Sequence, residues 1–539
     1  MRKYLLMASL MAFFVFAASA QERQTANQNI LHDYQLYQKL NRSVYDTQSK
    51  FHSSIRGFYA DGQQLKTAYD SLMNYGVDTL NRRSWVHRKL FQEHLLQFKN
   101  EEYNIYADFL ADFQIGKDFS GNRGTWLNTR GFQVGGNVGD KFSFYLNGFE
   151  NQGKFADYVN DYIVANQVVP GQGYGKLATD KQDWAYVTAL LSYTPNKYLN
   201  FALGYDKNFI GDGYRSVLLS DNSSNYSFFR LRASLGSVQY QTIYAYMLDP
   251  AAPKLANDRR LGDRGKWMAA HYLDWNATNR LSIGFFQSVT WADAEVEGKR
   301  GFDFNYIHPF MFLRPVENTN TTSPDKMRMG LNVKYELLEK TALYGQFMFD
   351  EFTAKEFFAG KGYWANKWAI QLGLRGSDLF KVDRLNYLAE FNTARPYTYA
   401  HFDRLSNYAN YNQPLAHPYG ANFREFLGLL SYSVKRFDFQ GQAIYAAYGL
   451  DPDGTNYGKD IFKSYDTRSV QYGSHVGQGL LTELYMVQGK AAYVLNPKYN
   501  LRLELGGVLR REKNSMMTNN TAMVTFGLKT SFRNLYYDF

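Results

Sequence analysis

From about residue 101 to Phe539, stretches of roughly ten residues alternate apolar and polar side chains, and their connections alternate short and long. Within residues 501–510, Leu501, Leu503, Leu505 and Leu509 share one face, while Arg502, Glu504 and Arg510 share the other. Leu331, Val333, Tyr335 and Leu337 likewise oppose Asn332, Lys334 and Glu336, and Leu385, Tyr387, Ala389 and Phe391 oppose Asn386, Glu390 and Asn392. Successive side chains of a strand point to opposite faces, so each of these strands has a greasy side and a polar one. A soluble sandwich can show this in a few strands. Sustained across residues 101–539, it specifies an all-β transmembrane β-barrel of about eighteen antiparallel strands, with lipid outside and a wet lumen inside.

The start of the chain agrees with an outer-membrane address. Arg2 and Lys3, an apolar run from Tyr4 to Phe16 and Ala18-Ser19-Ala20 read as a secretory signal over 1–20, cleaved before Gln21. Beyond residue 20 no apolar run is long enough for a membrane-spanning helix, and mean hydropathy is −0.46. With no Cys there are no disulfides and no thiolate chemistry. Aromatic residues make up 17% of the chain, with 44 Tyr and 41 Phe, and a barrel uses such rings at both membrane interfaces. The formal charge of +10 suits anionic lipid headgroups, including lipopolysaccharide, or acidic surface polysaccharide; nucleic acid is not an expected partner of an exported barrel.

Residues 21–98 carry a different period. Leu36, Tyr37, Leu40 and Val44, then Leu65, Ala68, Tyr69 and Leu72, recur at helical spacing and predict a small helical region, periplasmic or plugging one barrel mouth. The barrel itself is assigned to 99–539. Turn formers at Gly139-Asp140-Lys141, Thr194-Pro195-Asn196-Lys197, Gly236-Ser237, Asn276-Ala277-Thr278-Asn279, Glu339-Lys340, Lys435-Arg436 and Asn496-Pro497-Lys498 mark the short, periplasmic side. Longer segments near 154–182, 209–227, 249–265, 293–325, 396–422 and 450–478 mark the extracellular side. Tyr193, Tyr198, Tyr432, Phe437, Tyr493 and Tyr499 flank short turns, where an interfacial girdle belongs. The terminal Phe539 fits the aromatic end that such barrels present to their assembly machinery.

Enzyme motifs are missing: there is no H-E-x-x-H, G-x-S-x-G or P-loop, and the nine His are scattered without metal-ligand spacing. No catalytic residue, metal or cofactor is expected. Asp451-Pro452-Asp453-Gly454 resembles the start of a calcium loop but lacks the closing Glu and reads as a turn. Asp258-Arg259-Arg260 with Asp263, Arg264 and Lys266 reads as a solvated charge cluster, or as a contact for acidic glycan groups.

Two stretches are more specific. Gly204 to Asn222 and Phe304 to Pro315 mix aromatics with acids, amides and Arg, the combination of stacking faces and paired hydrogen-bonding groups that sugar rings require. A loop folded into the barrel mouth accounts for them equally well, and both can hold. The candidate mouth-lining set is Asp206, Asn208, Asp212, Tyr214, Arg215, Asp221, His308 and Arg314. Its carboxylates and amide would exchange hydrogen bonds with hydroxyls, Tyr214 would stack, and Arg215 and Arg314 would meet acidic groups.

Over these residues the chain resembles the Wzi-like capsule-assembly family of outer-membrane barrels. The pattern G-x-D-x-N-x-x-G-D-G-Y-x-S-x-x-x-S from Gly204 and the N-x-x-x-P-F from Asn305 are similar to that family's two signature regions. Ala394 to His401 and the ending Asn534 to Phe539 resemble a branch that includes gliding-motility proteins of the RemB type. The resemblance implies a non-enzymatic surface lectin that holds capsular polysaccharide at the outer membrane. The branch adds an alternative, a motility or adhesion role with motility or surface-export proteins as partners. A diffusion porin is a further alternative, motivated by the polar inward face.

Overall fold

The computed structural model describes residues 28–47, 51–60, 63–77, 83–177, 180–254, 264–295, 298–308, 325–530 and 532–539. The signal sequence, Arg314 and the Asp258-Arg259-Arg260 cluster with Asp263 lie outside these residues.

Eighteen antiparallel strands close into one barrel. They are β1 Tyr103–Asp118, β2 Arg123–Val138, β3 Phe142–Lys154, β4 Gln182–Asn196, β5 Leu199–Asp206, β6 Tyr226–Leu235, β7 Val238–Asp249, β8 Arg264–Asn276 and β9 Leu281–Ala292. The second half comprises β10 Lys326–Leu338, β11 Thr341–Glu351, β12 Lys367–Gly376, β13 Leu385–Ala394, β14 Phe423–Val434, β15 Phe437–Leu450, β16 Leu480–Asn496, β17 Leu501–Lys513 and β18 Thr518–Lys529. Each pairs with its sequence neighbour, and β18 closes on β1 with Met523 opposite Asp118 and Leu528 opposite Phe113. Closure removes every sheet edge, so the wall's backbone groups are paired without water.

The alternation read from the sequence is what the wall displays. On β10, Leu331, Val333, Tyr335 and Leu337 are exposed on the outer surface, while Asn332, Lys334 and Glu336 are buried inside. On β17, Leu503, Leu505 and Leu509 face out, and Glu504 and Arg510 face in. Rings gather near the short turns: Phe142 stacks on Tyr193 at 4.5 Å and Phe437 meets Tyr493 edge-on at 5.0 Å. Tyr499 departs from the girdle expected of it. It is buried, with its hydroxyl directed to the Lys89 carbonyl.

Polar inner walls need partners, and three parts of the chain supply them. From the short-turn side, helices α1 (Tyr34–Val44) and α2 (Gln63–Met73) pack on each other, and α1 reaches the inner wall. Asp33 caps α1 by accepting from the Leu36 amide at 2.7 Å. Its Leu36, Tyr37, Leu40 and Val44 are buried, its Lys39 pairs with Asp438 of β15 at 2.7 Å, and Gln35 donates to Gln440 of β15 at 2.7 Å. A third helix, α3 (Trp85–Phe91), sits below β16.

From the long-loop side, residues 395–422 fold inward and bury Tyr397, Tyr399, Tyr408, Leu415 and His417. Helix α4 (Asp157–Asn166) lies within the β3–β4 connection. The third part is the carboxy terminus. The last wall strand ends at Lys529, and residues 532–539 turn back into the lumen, where Phe539 packs on Tyr158 and Tyr162 of α4. The aromatic terminus expected at the end of the final strand is therefore a lumen residue.

Candidate functional site

The Gly204–Asn222 stretch leaves β5 and crosses the lumen to the opposite wall. Its glycines permit the crossing. Gly211 has φ of 137°, and a Cβ there would collide with Gln346 of β11. Gly213 comes so close to the Glu390 carboxylate of β13 that any side chain would clash. Gln346 then accepts from the Val217 amide at 2.9 Å and donates to the Ile210 carbonyl at 3.0 Å. Glu390 accepts from the amides of Tyr214 and Arg215 at 2.8 and 3.1 Å, and Gln371 of β12 donates to the Arg215 carbonyl at 2.8 Å.

Six of the eight candidate residues lie in this crossing, all joined to protein. Tyr145 donates to Asp206, and Arg230 donates to Asn208 at 3.1 Å. Asp212 accepts from Tyr45 at 3.0 Å and from Ser53 at 2.6 Å. Tyr214 donates to Asp538 at 2.8 Å. The buried Arg215 guanidinium reaches Asp538 at 3.2 Å and Glu425 at 3.4 Å, and His417 meets Glu425 from the other side at 2.7 Å. Asp221 is held by His32 at 2.8 Å, Asn534 at 2.7 Å and Tyr536 at 2.8 Å. Burial alone would raise the Asp221 pKa, but the bond and charge of His32, with Lys207 and Asn534, hold its carboxyl below the usual range. Asp212, Tyr214, Arg215 and Asp221 tie the amino-terminal region, the crossing segment and the carboxy-terminal tail into one plug, Asp206 and Asn208 fix the crossing to the wall, and none of the six faces an open mouth. His308 alone among the seven described candidates is exposed, at the long-loop end.

At that end three loops build a second constellation. Residues 352–366 and 451–479 zip together through Gly473 N–H to the Lys361 carbonyl, Ser474 N–H to Gly362 and Trp364 N–H to Gln471, at 2.8, 2.8 and 3.2 Å. Around that ladder Tyr363 faces Tyr472 at 5.5 Å, and Trp364 meets Tyr465 at 5.1 Å and Tyr397 at 5.9 Å. Arg468 lies over the Trp364 ring at 4.3 Å and Lys367 over Tyr465 at 4.0 Å. His401 and Phe402 of the inward loop close the cluster against Tyr465 at 5.5 and 6.1 Å. Tyr472 and Phe402 each keep 49% of their surface exposed.

Buried polar atoms without a protein partner occur in the plug as well, at Arg215 Nε and Asp212 Oδ2, so what distinguishes this cluster is that such atoms lie beside exposed rings. The Trp364 indole N–H, the Arg395 Nε and the Ser474 hydroxyl are buried and have no hydrogen-bond partner in the protein. Arg395 donates through its other nitrogen to the Tyr363 and Ser474 carbonyls at 3.3 and 3.0 Å, so the three groups share one neighbourhood. Rings, cations and unused donors together are the chemistry of an acidic sugar site. Burial and the neighbouring cations Lys326, Arg328 and Lys367 push the His401 imidazole down to about 3, so it is neutral at ordinary pH. Asp451 accepts from the backbone of Tyr457 and Asp460 at 2.6 and 3.0 Å and organises its loop as a turn.

Sequence reasoning missed this cluster. Its members come from three loops spread between residues 352 and 479, and no local spacing links them.

No protein-family model matches the chain, and no curated protein matches it in sequence. Among solved structures the fold is similar to that of Wzi from Escherichia coli, an outer-membrane protein involved in group 1 capsule assembly and a carbohydrate-binding β-barrel. The TM-score is 0.55 at 13% identity, covering 93% of this chain and 99% of that one. Pseudomonas aeruginosa OprD also matches, with a TM-score of 0.41 at 12% identity over 79% of this chain and 94% of that one. Acinetobacter baumannii OccAB2 gives 0.41 at 8% identity over 79% and 97%. The fold is that of outer-membrane barrels.

Proposed function

We propose that this protein is a non-enzymatic outer-membrane barrel that holds surface polysaccharide on its extracellular loops and does not pass it through the lumen. The observation that carries this reading is the loop cluster: partly exposed rings packed at tilted and edge-on angles, two cations over them and three buried donors without protein partners beside them. The filled lumen supports it from the other side, since a conduit would need the crossing segment and the tail to leave. The fold likeness to Wzi adds a carbohydrate-binding relative in architecture. Export through a cleaved signal, with insertion in the outer membrane, belongs to the same proposal.

In this reading Tyr363, Tyr472 and Arg468 contact the glycan, with Arg468 favouring carboxylate or phosphate groups. His308, and Arg314 further along the sequence, extend the contact. Asp206, Asn208, Asp212, Tyr214, Arg215 and Asp221 hold the lumen closed and do not touch the glycan. The resemblance of Ala394–His401 to gliding-motility proteins of the RemB type would add protein partners on this same face.

The test replaces Tyr363, Tyr472 and Arg468 together with Ala and measures polysaccharide retained on cells at matched barrel levels. Binding should weaken about ten-fold or more. Retention equal to the parent protein would reject the loop cluster as the site.

A further inference from the structure

The outer wall carries a feature that glycan binding does not use. A barrel is convex, yet strands β10–β16 enclose an apolar depression of about 990 Å³ on the lipid-facing side. Its upper edge is one row of rings in register: Phe391 opposite Phe426, Phe426 opposite Tyr445, and Tyr445 opposite Tyr485. The next row down has Ala389 opposite Gly428 and Gly428 opposite Ala443. Nothing lies within 4 Å of where a Gly428 Cβ would stand, so the floor is open to the membrane.

Beside the rings and above them, toward the long-loop end, the same outward face turns basic. Arg511 is the register partner of Tyr485, Lys513 is the partner of Glu483, and Arg424 stands two residues above Phe426. All three cations are exposed. Glu483, the one acid of the row, accepts from the Tyr445 hydroxyl at 3.0 Å. Arg424 gives one nitrogen to the Val476 carbonyl at 3.4 Å. Among the described residues Arg511 and Lys513 make no ion pair. The cations span β14 to β17, three strand spacings or about 14 Å, which suits a sugar-phosphate head more than a single phosphate.

Apolar trough below and basic row above form an amphipathic site whose polarity matches the outer leaflet. We propose that this face binds a phosphorylated, multiply acylated glycolipid of the outer leaflet. Its acyl chains fill the depression under Phe426 and Tyr445, and its phosphates sit on Arg424, Arg511 and Lys513. The charge complementarity commits the site to an anionic lipid, and the size of the trough to more than one chain.

Native mass spectrometry of the full-length protein in mild detergent tests this, with three added lipids: a phosphorylated lipid A-type glycolipid, its dephosphorylated form and phosphatidylethanolamine. The parent protein should retain the phosphorylated glycolipid in preference to both others. The triple variant R424E/R511E/K513E should retain it about ten-fold less. The pair G428F/A443L, which fills the trough and leaves the charges, should lose both glycolipids alike; it also carries the test if the charge variant does not insert. Equal retention of all three lipids by the parent overturns the proposal. So does retention unchanged in both variants, or a lipid-free dimer that G428F/A443L dissociates.

Discussion

The plug and the loop cluster are both rich in rings, carboxylates and guanidinium groups, and both keep some buried polar atoms without partners, yet they differ in what a ligand could reach. In the plug, Arg215, Glu390, Glu425 and Asp538 bond to one another and to backbone and are buried. In the loop cluster, the unpartnered Trp364, Arg395 and Ser474 groups lie beside Tyr472, which keeps half its surface. Polar density alone therefore marks a rigid interior as readily as a binding site. Accessible rings with cations over them mark the binding site.

The largest effect should come from the plug. Arg215→Ala leaves Glu425 and Asp538 without their shared cation, and breaking such a buried pair costs about 3–5 kcal/mol. Urea titration of the protein in vesicles should show that loss, and planar bilayers should show conductance steps that the parent lacks. A silent, equally stable variant would erase the distinction between the two regions. Gly211→Val forces a side chain into a positive-φ position against Gln346 and should cost about 2 kcal/mol by the same titration. An unchanged midpoint would mean that the crossing segment is not held against β11.

Smaller effects belong to the loops. Tyr465→Leu removes the ring beneath Lys367 and should weaken loop packing by about 1 kcal/mol. Limited proteolysis should then cut faster within 451–479 while the barrel stays intact; cleavage at the parent rate would separate Tyr465 from the platform. The last effect appears only in acid. The His401 pKa is near 3 in the fold against 6.5 ordinarily, so between those values the unfolded loop binds more protons and stability rises with pH. Near-UV dichroism should be constant above pH 6.5 and fade as pH falls toward 3, with His401→Asn flattening the change. A fade identical in that variant would assign it to other groups.

How much of this was legible beforehand follows from how locally each signal is written. Lipid outside and water-loving lumen inside impose a two-residue period on every strand, so Leu331 to Leu337 announce the wall unaided. The spacing of Leu36, Leu40 and Val44 announces α1 in the same way. The Gly204–Asn222 stretch stood out for its composition, but its meaning depends on Gln346, Glu390 and Asp538, each more than a hundred residues away. The tail was hidden for a related reason. Tyr536 and Asp538 look like a strand's aromatic end until Asp221 and Arg215 are seen opposite them. Trp364, Tyr465 and Tyr472 meet only because the barrel brings two distant loops to one rim.

The decisive measurement compares polysaccharide retention by two variants at equal barrel levels, Tyr363→Ala/Tyr472→Ala/Arg468→Ala on the loops and Asp221→Asn in the plug. Loss in the first with near-parent retention in the second is the expected result. Loss only in the Asp221 variant would contradict the account and return the glycan to the lumen.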